Sequence, residues 1–186
     1  FGNSNTTTVS GSITTAGSPA YGIVIFGNSN TTTVSGSITT AGSAAYGIVN
    51  EGDNNKTTVS GSITTEGTEA YGISNSNNDN VTTISGTVKA TGAKSVALFN
   101  WSGSGNSFTL NEGATIIGDI LARDYTGTAY DATNSQLIFN LGASTSYAYS
   151  VSGKGEGTGV GQWIFSDLDR SSQVVTTSGT GCDTTI

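Results

Sequence analysis

The chain has 186 residues, of which 34% are hydrophobic and 10% charged, and its net charge is −7 at pH 7. Its 6 Lys and Arg residues are scattered, whereas a nucleic-acid surface needs them clustered. No apolar run approaches the roughly 20 residues that a membrane-spanning helix requires. The chain also lacks His, which removes the commonest general base and metal ligand. We therefore expect a non-enzymatic protein with no cofactor, no bound metal, no nucleic-acid partner and no membrane insertion of this segment.

A repeat of 25 residues organises the first part of the chain, and its second copy, 26–50, reads FGNSNTTTVSGSITTAGSAAYGIVN. Copy 1–25 differs from it only by Pro19 in place of Ala44 and Ile25 in place of Asn50. Copies 51–75 and 76–100 are looser, and 101–122 is a fifth unit with Phe108, Leu110, Ile116 and Ile120 as its core candidates. A fixed period of this length is typical of stacked repeats. We predict regular coils over residues 1–122.

Four columns of the aligned copies are apolar, and the residues between them are mostly Thr, Ser, Gly and Ala. β-branched residues at spacings of two and four predict strands. In copy 26–50 we predict strands at 31–35, 37–40 and 45–50, with turns at Gly36, 41–43 and 52–55. Three strands and three corners in 25 residues make one coil of an all-β, single-stranded parallel β-helix (β-solenoid). The columns predicted to be buried are Val9, Val34, Val59 and Ile84; Ile13, Ile38, Ile63 and Val88; Tyr21, Tyr46, Tyr71 and Val96; and Ile23, Ile48, Ile73 and Leu98.

Stacking places equivalent side chains above one another, so equal charges would repel along a column. Residues 1–50 accordingly contain no Asp, Glu, Lys or Arg. The column Asn50, Asn75 and Asn100 predicts an amide ladder at a corner, each side chain bonding the next. The alternative is that Asn is simply a favourable turn residue.

Beyond the repeat, 123–186 is predicted to be an irregular continuation or a set of capping coils. Short β runs at 136–141, 147–151, 162–165 and 173–177 alternate with Gly- and Ser-rich segments. Cys182 is the single cysteine, which excludes an internal disulfide. Because the sequence has no Met and opens in phase with the repeat, we expect a fragment or a processed chain.

The pattern TTVSGSITT…AYGI, with an Asn-rich turn between copies, resembles the passenger domains of bacterial autotransporter adhesins. The run from Gly113 to Ile120, GATIIGDI, also resembles a G-x-x-I-x-G-x-I coil of that family. The resemblance covers about residues 1–122. It implies a right-handed three-sided β-helix, export across the outer membrane and adhesion at the cell surface. The sequence shows no signal peptide, C-terminal membrane barrel or protease site that would extend the resemblance.

Outward-facing Thr columns open an alternative function, since flat Thr arrays are how β-solenoid ice-binding proteins match a crystal surface. Against it, Thr is a common strand residue with a wettable side chain. The columns are Thr8, Thr33, Thr58 and Thr83; Thr14, Thr39 and Thr64, followed by Lys89; and Ser12, Ser37, Ser62 and Thr87.

Carboxylates open two further alternatives. A β-helix enzyme that degrades polysaccharides needs two of them across a cleft, and the candidates are Asp119, Asp124, Asp131, Asp167 and Asp169. Calcium binding would use Asp53 and Asp79 with the amides of Asn54, Asn55, Asn77 and Asn78. In both cases the competing interpretation is a solvated carboxylate in a turn.

Asn-x-Thr/Ser recurs once per copy and predicts glycosylation at turn positions that are expected to be exposed. The same column arises from any turn that precedes a Thr strand. The candidates are Asn5, Asn30, Asn55, Asn80 and Asn100.

These observations favour a structural or adhesive β-helix segment of an extracellular or outer-membrane surface protein. Its partners would be further copies of itself, stacked end to end into fibres, or a host-surface glycan or protein. Aromatic side chains are candidate carbohydrate-stacking or interface residues, with core packing as the alternative. They are Trp101, Tyr125, Tyr130, Tyr147, Tyr149 and Trp163.

Overall fold

The structure is a computed structural model that describes residues 2–122, 132–140, 146–152, 163–167 and 174–178. Within those ranges all regular structure is β, and no helix occurs. The first four coils contribute β1 (Thr6–Val9), β2 (Ser12–Thr15), β3 (Ile23–Phe26), β4 (Thr31–Val34), β5 (Ser37–Thr40), β6 (Ile48–Glu51), β7 (Lys56–Val59), β8 (Ser62–Thr65), β9 (Tyr71–Ser76), β10 (Val81–Ile84), β11 (Thr87–Ala90) and β12 (Val96–Asn100). The remaining strands are β13 (Gly103–Ser104), β14 (Ser107–Asn111), β15 (Thr115–Ile117), β16 (Asp119–Ala122), β17 (Ala132–Thr133), β18 (Ser135–Asn140), β19 (Ser146–Ser152), β20 (Trp163–Asp167) and β21 (Val174–Ser178).

Each of the first five coils gives one strand to each of three parallel sheets, and β13 and β17 form a separate two-stranded sheet. The first sheet has the order β1-β4-β7-β10-β14-β18-β20, the second β15-β11-β8-β5-β2, and the third β21-β19-β16-β12-β9-β6-β3. Thr31 pairs with Thr6 on one side and Lys56 on the other, so neighbouring strands are offset by one repeat. The chain is therefore a β-solenoid of about 5 turns, which confirms the predicted parallel β-helix.

The core is a set of stacked apolar columns in the interior of the coils. Val34, Ile38 and Ile48 are fully buried, as are their equivalents in the next two coils. In the fifth coil Phe108, Leu110 and Ile120 are fully buried and Ile116 packs against them. Three of the four predicted columns are thus confirmed from the second coil onward, whereas Val9, Ile13 and Ile23 of the first coil are half-buried and pack against this core.

The remaining column is that of Tyr21, Tyr46, Tyr71 and Val96, and the prediction that it is buried is wrong for its three tyrosines. Tyr21 is 41% exposed, Tyr46 and Tyr71 are half-buried, and only Val96 is buried. The reason lies in the next residue: a Cβ at Gly47 would lie 2.4 Å from Cγ2 of Ile63, so this position faces the interior. Residues 46 and 47 precede β6, and the ring of Tyr46 lies on the outer surface, stacked on that of Tyr71.

The predicted strands of the second coil fall close to the observed ones. The third strand begins three residues late, at Ile48, because the backbone first makes a turn in which Ala44 has a φ of 49°. The N–H of Ala45 donates to the carbonyl of Gly42 across that turn.

Beyond the fifth coil, the described strands extend two of the sheets. In the first sheet β18 pairs with β14, and β20 pairs with β18. In the third sheet β19 pairs with β16, and β21 pairs with β19. All four β runs predicted for this part are confirmed with bounds shifted by one or two residues. Cys182 lies outside the described residues.

Candidate interaction surfaces and the ladders that hold them

An asparagine ladder runs through the interior at the third sheet. Asn50, Asn75 and Asn100 are fully buried. Nδ2 of Asn50 donates to Oδ1 of Asn75 at 2.8 Å, and Nδ2 of Asn75 donates to Oδ1 of Asn100 at 3.3 Å. Because a buried amide without a partner costs free energy, this ladder fixes the register of successive coils.

Buried threonines add a second hydrogen bond to this ladder. Oγ1 of Thr57 donates to Oδ1 of Asn50 at 3.2 Å, and Thr82 bonds Asn75 in the same way. Thr32 is equally buried, yet its Oγ1 has no partner. Ile25 occupies the place that Asn50 and Asn75 hold in later coils, so the acceptor is missing there.

A second ladder lies where each coil turns into the first sheet. Its asparagines were not predicted to form a ladder. Oδ1 of Asn30, Asn55, Asn80 and Asn106 each accepts the backbone N–H of the equivalent Asn one coil earlier, at 2.9 Å. The signal for it was the same Asn column that suggested glycosylation.

The expectation that the glycosylation candidates are exposed is wrong for four of five. Asn30, Asn55, Asn80 and Asn100 are 4%, 1%, 0% and 0% exposed, because their side chains point into the stack and bond the backbone. A glycan on any of these amides has no room. Asn5 is exposed, and its Nδ2 donates to Asn30 at 3.1 Å.

The carboxylate of Asp53, a calcium candidate, is used within the fold. Its Oδ1 accepts the backbone N–H of Asn78 at 2.9 Å and Nδ2 of the same residue at 3.0 Å. Asp53 itself donates its backbone N–H to Oδ1 of Asn28. Among the residues whose positions are described, no group of three or more Cys, Asp or Glu side chains is arranged to hold a metal ion.

The predicted Thr columns face solvent on two of the three sheets. Thr8, Thr33, Thr58 and Thr83 are paired in register on the first sheet and continue to Thr109. Thr14, Thr39 and Thr64 are paired on the second sheet and continue to Lys89 and Ile117. All seven predicted threonines are exposed or half-buried.

The outer surface at the third sheet is aromatic. The rings of Tyr46 and Tyr71 are stacked with centroids 4.5 Å apart and planes at 16°, and Tyr21 is tilted on Tyr46 at 5.3 Å. Phe99 lies edge-on to Tyr71 at 4.6 Å and to Trp101 at 5.4 Å. We call these five residues the aromatic column. The sequence signal for its tyrosines was Tyr-Gly at a 25-residue spacing.

The surroundings of the Tyr46 hydroxyl change its acid–base behaviour. Burial, followed by the nearby Tyr71, Tyr21 and Glu69, raises the pKa of Tyr46 to about 12. Tyr46 therefore stays a neutral phenol at any physiological pH.

The candidate catalytic carboxylates do not form a described pair. Asp119 is exposed on β16, and Asp167 ends β20, where the backbone alone is described. Asp124, Asp131 and Asp169 lie outside the described residues, as do the aromatic candidates Tyr125 and Tyr130. Of the remaining aromatic candidates, Tyr147, Tyr149 and Trp163 lie on β19 and β20, and Trp101 belongs to the aromatic column.

In the described part of the chain, no helix is long and apolar enough to cross a membrane. No protein-family model matches this sequence, and no curated protein and no solved structure matches it either.

Proposed function

We propose that this chain is a non-enzymatic structural and adhesive segment of a bacterial surface or secreted protein, of the autotransporter passenger type. The observation that carries the proposal is the continuity of its outer faces. The Thr column of the first sheet and the aromatic column of the third each run over several coils with one type of side chain. Extended, uniform faces suit binding to extended partners better than catalysis, which requires converging groups in a cleft.

The partner of the adhesive face is a host-surface glycan or protein. The test is binding of the immobilised chain to a glycan panel and to host cells. Binding by a Tyr46→Ala, Tyr71→Ala double variant is compared with binding by a control variant, Thr58→Ser, whose substitution lies on another face. Binding that the double variant loses and the control keeps supports the proposal. Absence of binding to every glycan and cell type tested contradicts the adhesive role.

The structural role rests on the near-identity of the first two coils. Because their sequences are nearly the same, one coil can pair with another copy through the same strand contacts. Inserting a second copy of 26–50 after residue 50 is expected to lengthen the particle by about 4.8 Å, one strand spacing. Small-angle X-ray scattering measures that length. Electron microscopy with light scattering at several concentrations tests end-to-end stacking: fibres with a repeat of about 4.8 Å support it, and short monodisperse rods contradict it.

Ice binding is the second candidate, favoured by the paired Thr registers. Thr6 and Thr8 lie two residues apart on one strand and each pairs with Thr in the next coil, Thr31 and Thr33. Lys56 and Val81 interrupt the column of Thr6 and Thr31 in the next two coils. Thermal hysteresis in the wild-type chain that Thr33→Lys abolishes would support this candidate, and its absence would remove it.

A further inference from the structure

We propose that the tyrosines of the aromatic column are a site of oxidative cross-linking, at which a dityrosine bond between Tyr46 and Tyr71 joins adjacent coils covalently. This goes beyond the proposed adhesive function and does not depend on it. The partner reagent is a peroxidase-type one-electron oxidant that is driven by hydrogen peroxide.

The backbone holds the two rings together. The N–H of Gly47 donates to the carbonyl of Tyr71 at 2.9 Å, and the N–H of Gly22 donates to that of Tyr46 at 2.9 Å. These bonds set the tyrosines of successive coils at one strand spacing with their side chains on the same side. The centroid separation of 4.5 Å between Tyr46 and Tyr71 follows from this spacing. Proximity of this kind converts a bimolecular radical coupling into an intramolecular one.

Exposure gives an oxidant access to the column. Tyr46 and Tyr71 are half-buried, and Tyr21 is 41% exposed. The rings are 4.5 Å apart with planes at 16°, and a rotation of the rings is needed to bring one ortho carbon of each to bonding distance. Tyr21 is 5.3 Å from Tyr46 with planes at 48°, so it is the second, slower partner. Val96 occupies the position equivalent to Tyr71 in the next coil, so the run of stacked tyrosines ends at Tyr71.

The chemistry balances as follows. Each of the two phenols loses one electron and its hydroxyl proton to the oxidant, which gives two tyrosyl radicals. An ortho carbon of one ring bonds an ortho carbon of the other, and the two ring protons move to the oxygens and restore both phenols. Hydrogen peroxide accepts the two electrons and two protons and forms two water molecules. The product therefore weighs two hydrogens less than the starting chain.

The cleavage sites of trypsin make the bond easy to locate. Tyr21 and Tyr46 both precede Lys56, whereas Tyr71 lies between Lys56 and Lys89. A Tyr46–Tyr71 bond joins peptide 1–56 to peptide 57–89. A Tyr21–Tyr46 bond leaves peptide 1–56 two hydrogens lighter.

The experiment oxidises the folded full chain with a haem peroxidase and hydrogen peroxide, then digests it and analyses the peptides by mass spectrometry. We expect the joined peptide 1–56/57–89 as the main product, at a yield at least about tenfold above that from urea-unfolded chain. Tyr46→Phe should remove both products, Tyr71→Phe should remove the joined peptide alone, and Tyr130→Phe, our control, should remove neither. Circular dichroism checks that each variant folds, and either column variant suffices to locate the bond.

A mixture of ¹⁵N-labelled and unlabelled chains distinguishes a bond within one chain from a bond between chains. Joined peptides that are wholly labelled or wholly unlabelled support the proposal. Joined peptides of mixed label, equal yields from folded and unfolded chain, or oxidation without the joined peptide would each overturn it. The cross-linked chain should also show a higher urea midpoint than the unoxidised chain, because the bond closes a loop in the unfolded chain and lowers its conformational entropy.

Discussion

Two corners of the same coil keep successive coils in register by opposite means. At the Asn corner, residues 52–55 between β6 and β7, the side chain of Asn55 accepts the backbone N–H of Asn30 at 2.9 Å. At the Gly corner, Ser60 and Gly61 between β7 and β8, both N–H groups bond the carbonyl of Val34 directly, at 2.9 and 3.1 Å. The Asn corner is held by the side chain of Asn55, whereas the Gly corner has no room for a side chain at position 61. The Asn corner therefore tolerates a polar exchange, whereas the Gly corner tolerates no added atom.

The largest expected effect is at the Gly corner, in Gly61→Ala. The new Cβ would lie 1.9 Å from the carbonyl oxygen of Gly36, so the backbone of two coils must separate. We expect a loss of about 3 kcal/mol in the free energy of unfolding, the upper range for overpacking. Urea denaturation followed by circular dichroism measures it.

The matched control is Gly11→Ala, since no heavy atom lies within 4 Å of a Cβ at Gly11. That variant should change stability by less than about 0.5 kcal/mol. Equal losses in the two variants would mean that the Gly corner does not fix the coil spacing.

At the Asn corner, Asn55→Ala should cost about 2 kcal/mol. It leaves the buried N–H of Asn30 without its acceptor and removes the bond from Nδ2 of Asn30 at 3.1 Å. Hydrogen exchange of the Asn30 amide should become faster than in the wild type. Asn5→Ala, at the equivalent exposed position, should leave that amide protected, and faster exchange in both variants would contradict the side-chain role.

Two buried threonines, Thr57 after the Asn corner and Thr32 at the equivalent place one coil earlier, sharpen the comparison because their substitutions should change stability in opposite directions. Thr32→Val replaces an unpaired buried hydroxyl with a methyl group and should stabilise the chain by about 1 kcal/mol. Thr57→Val removes the 3.2 Å bond to Asn50 and should destabilise it by about 1 kcal/mol. The difference between their urea midpoints is the measurement, and a shared sign would refute this account.

The last prediction concerns the corner between β5 and β6, where Tyr46 lies just before the third sheet. Because the folded chain holds the proton of Tyr46 up to a pKa of about 12, against about 10 when unfolded, the neutral form favours folding. That contribution is complete below pH 10 and is lost as pH rises toward 12. Urea midpoints between pH 9 and 12 should fall less steeply in Tyr46→Phe than in the wild type, whereas identical slopes would contradict the assignment.

Sequence alone was sufficient for the solenoid because repetition reveals the environment of each position. Val34, Ile38 and Ile48 recur as apolar residues in every regular coil, and an apolar residue that recurs at strand spacing has to face a shared interior. The same reasoning failed for Tyr46 and Asn30. An aromatic ring suits either face of a strand, and Asn suits either an exposed turn or a buried bond, so recurrence by itself does not distinguish them.

The sequence by itself therefore determined the period, the strand positions and most of the core of this protein. Only the tertiary structure decided the direction of the ambiguous side chains. The side chain of Ile63, in the next coil, fills the space that a side chain at Gly47 would need, and the ring of Tyr46 beside it lies on the outer surface. The oxygen that accepts the backbone N–H of the buried Asn30 is likewise in the next coil, on the side chain of Asn55. Interactions between residues about one repeat apart exist only once the coils are stacked, and these interactions decide which columns form surfaces and which hold the coils together.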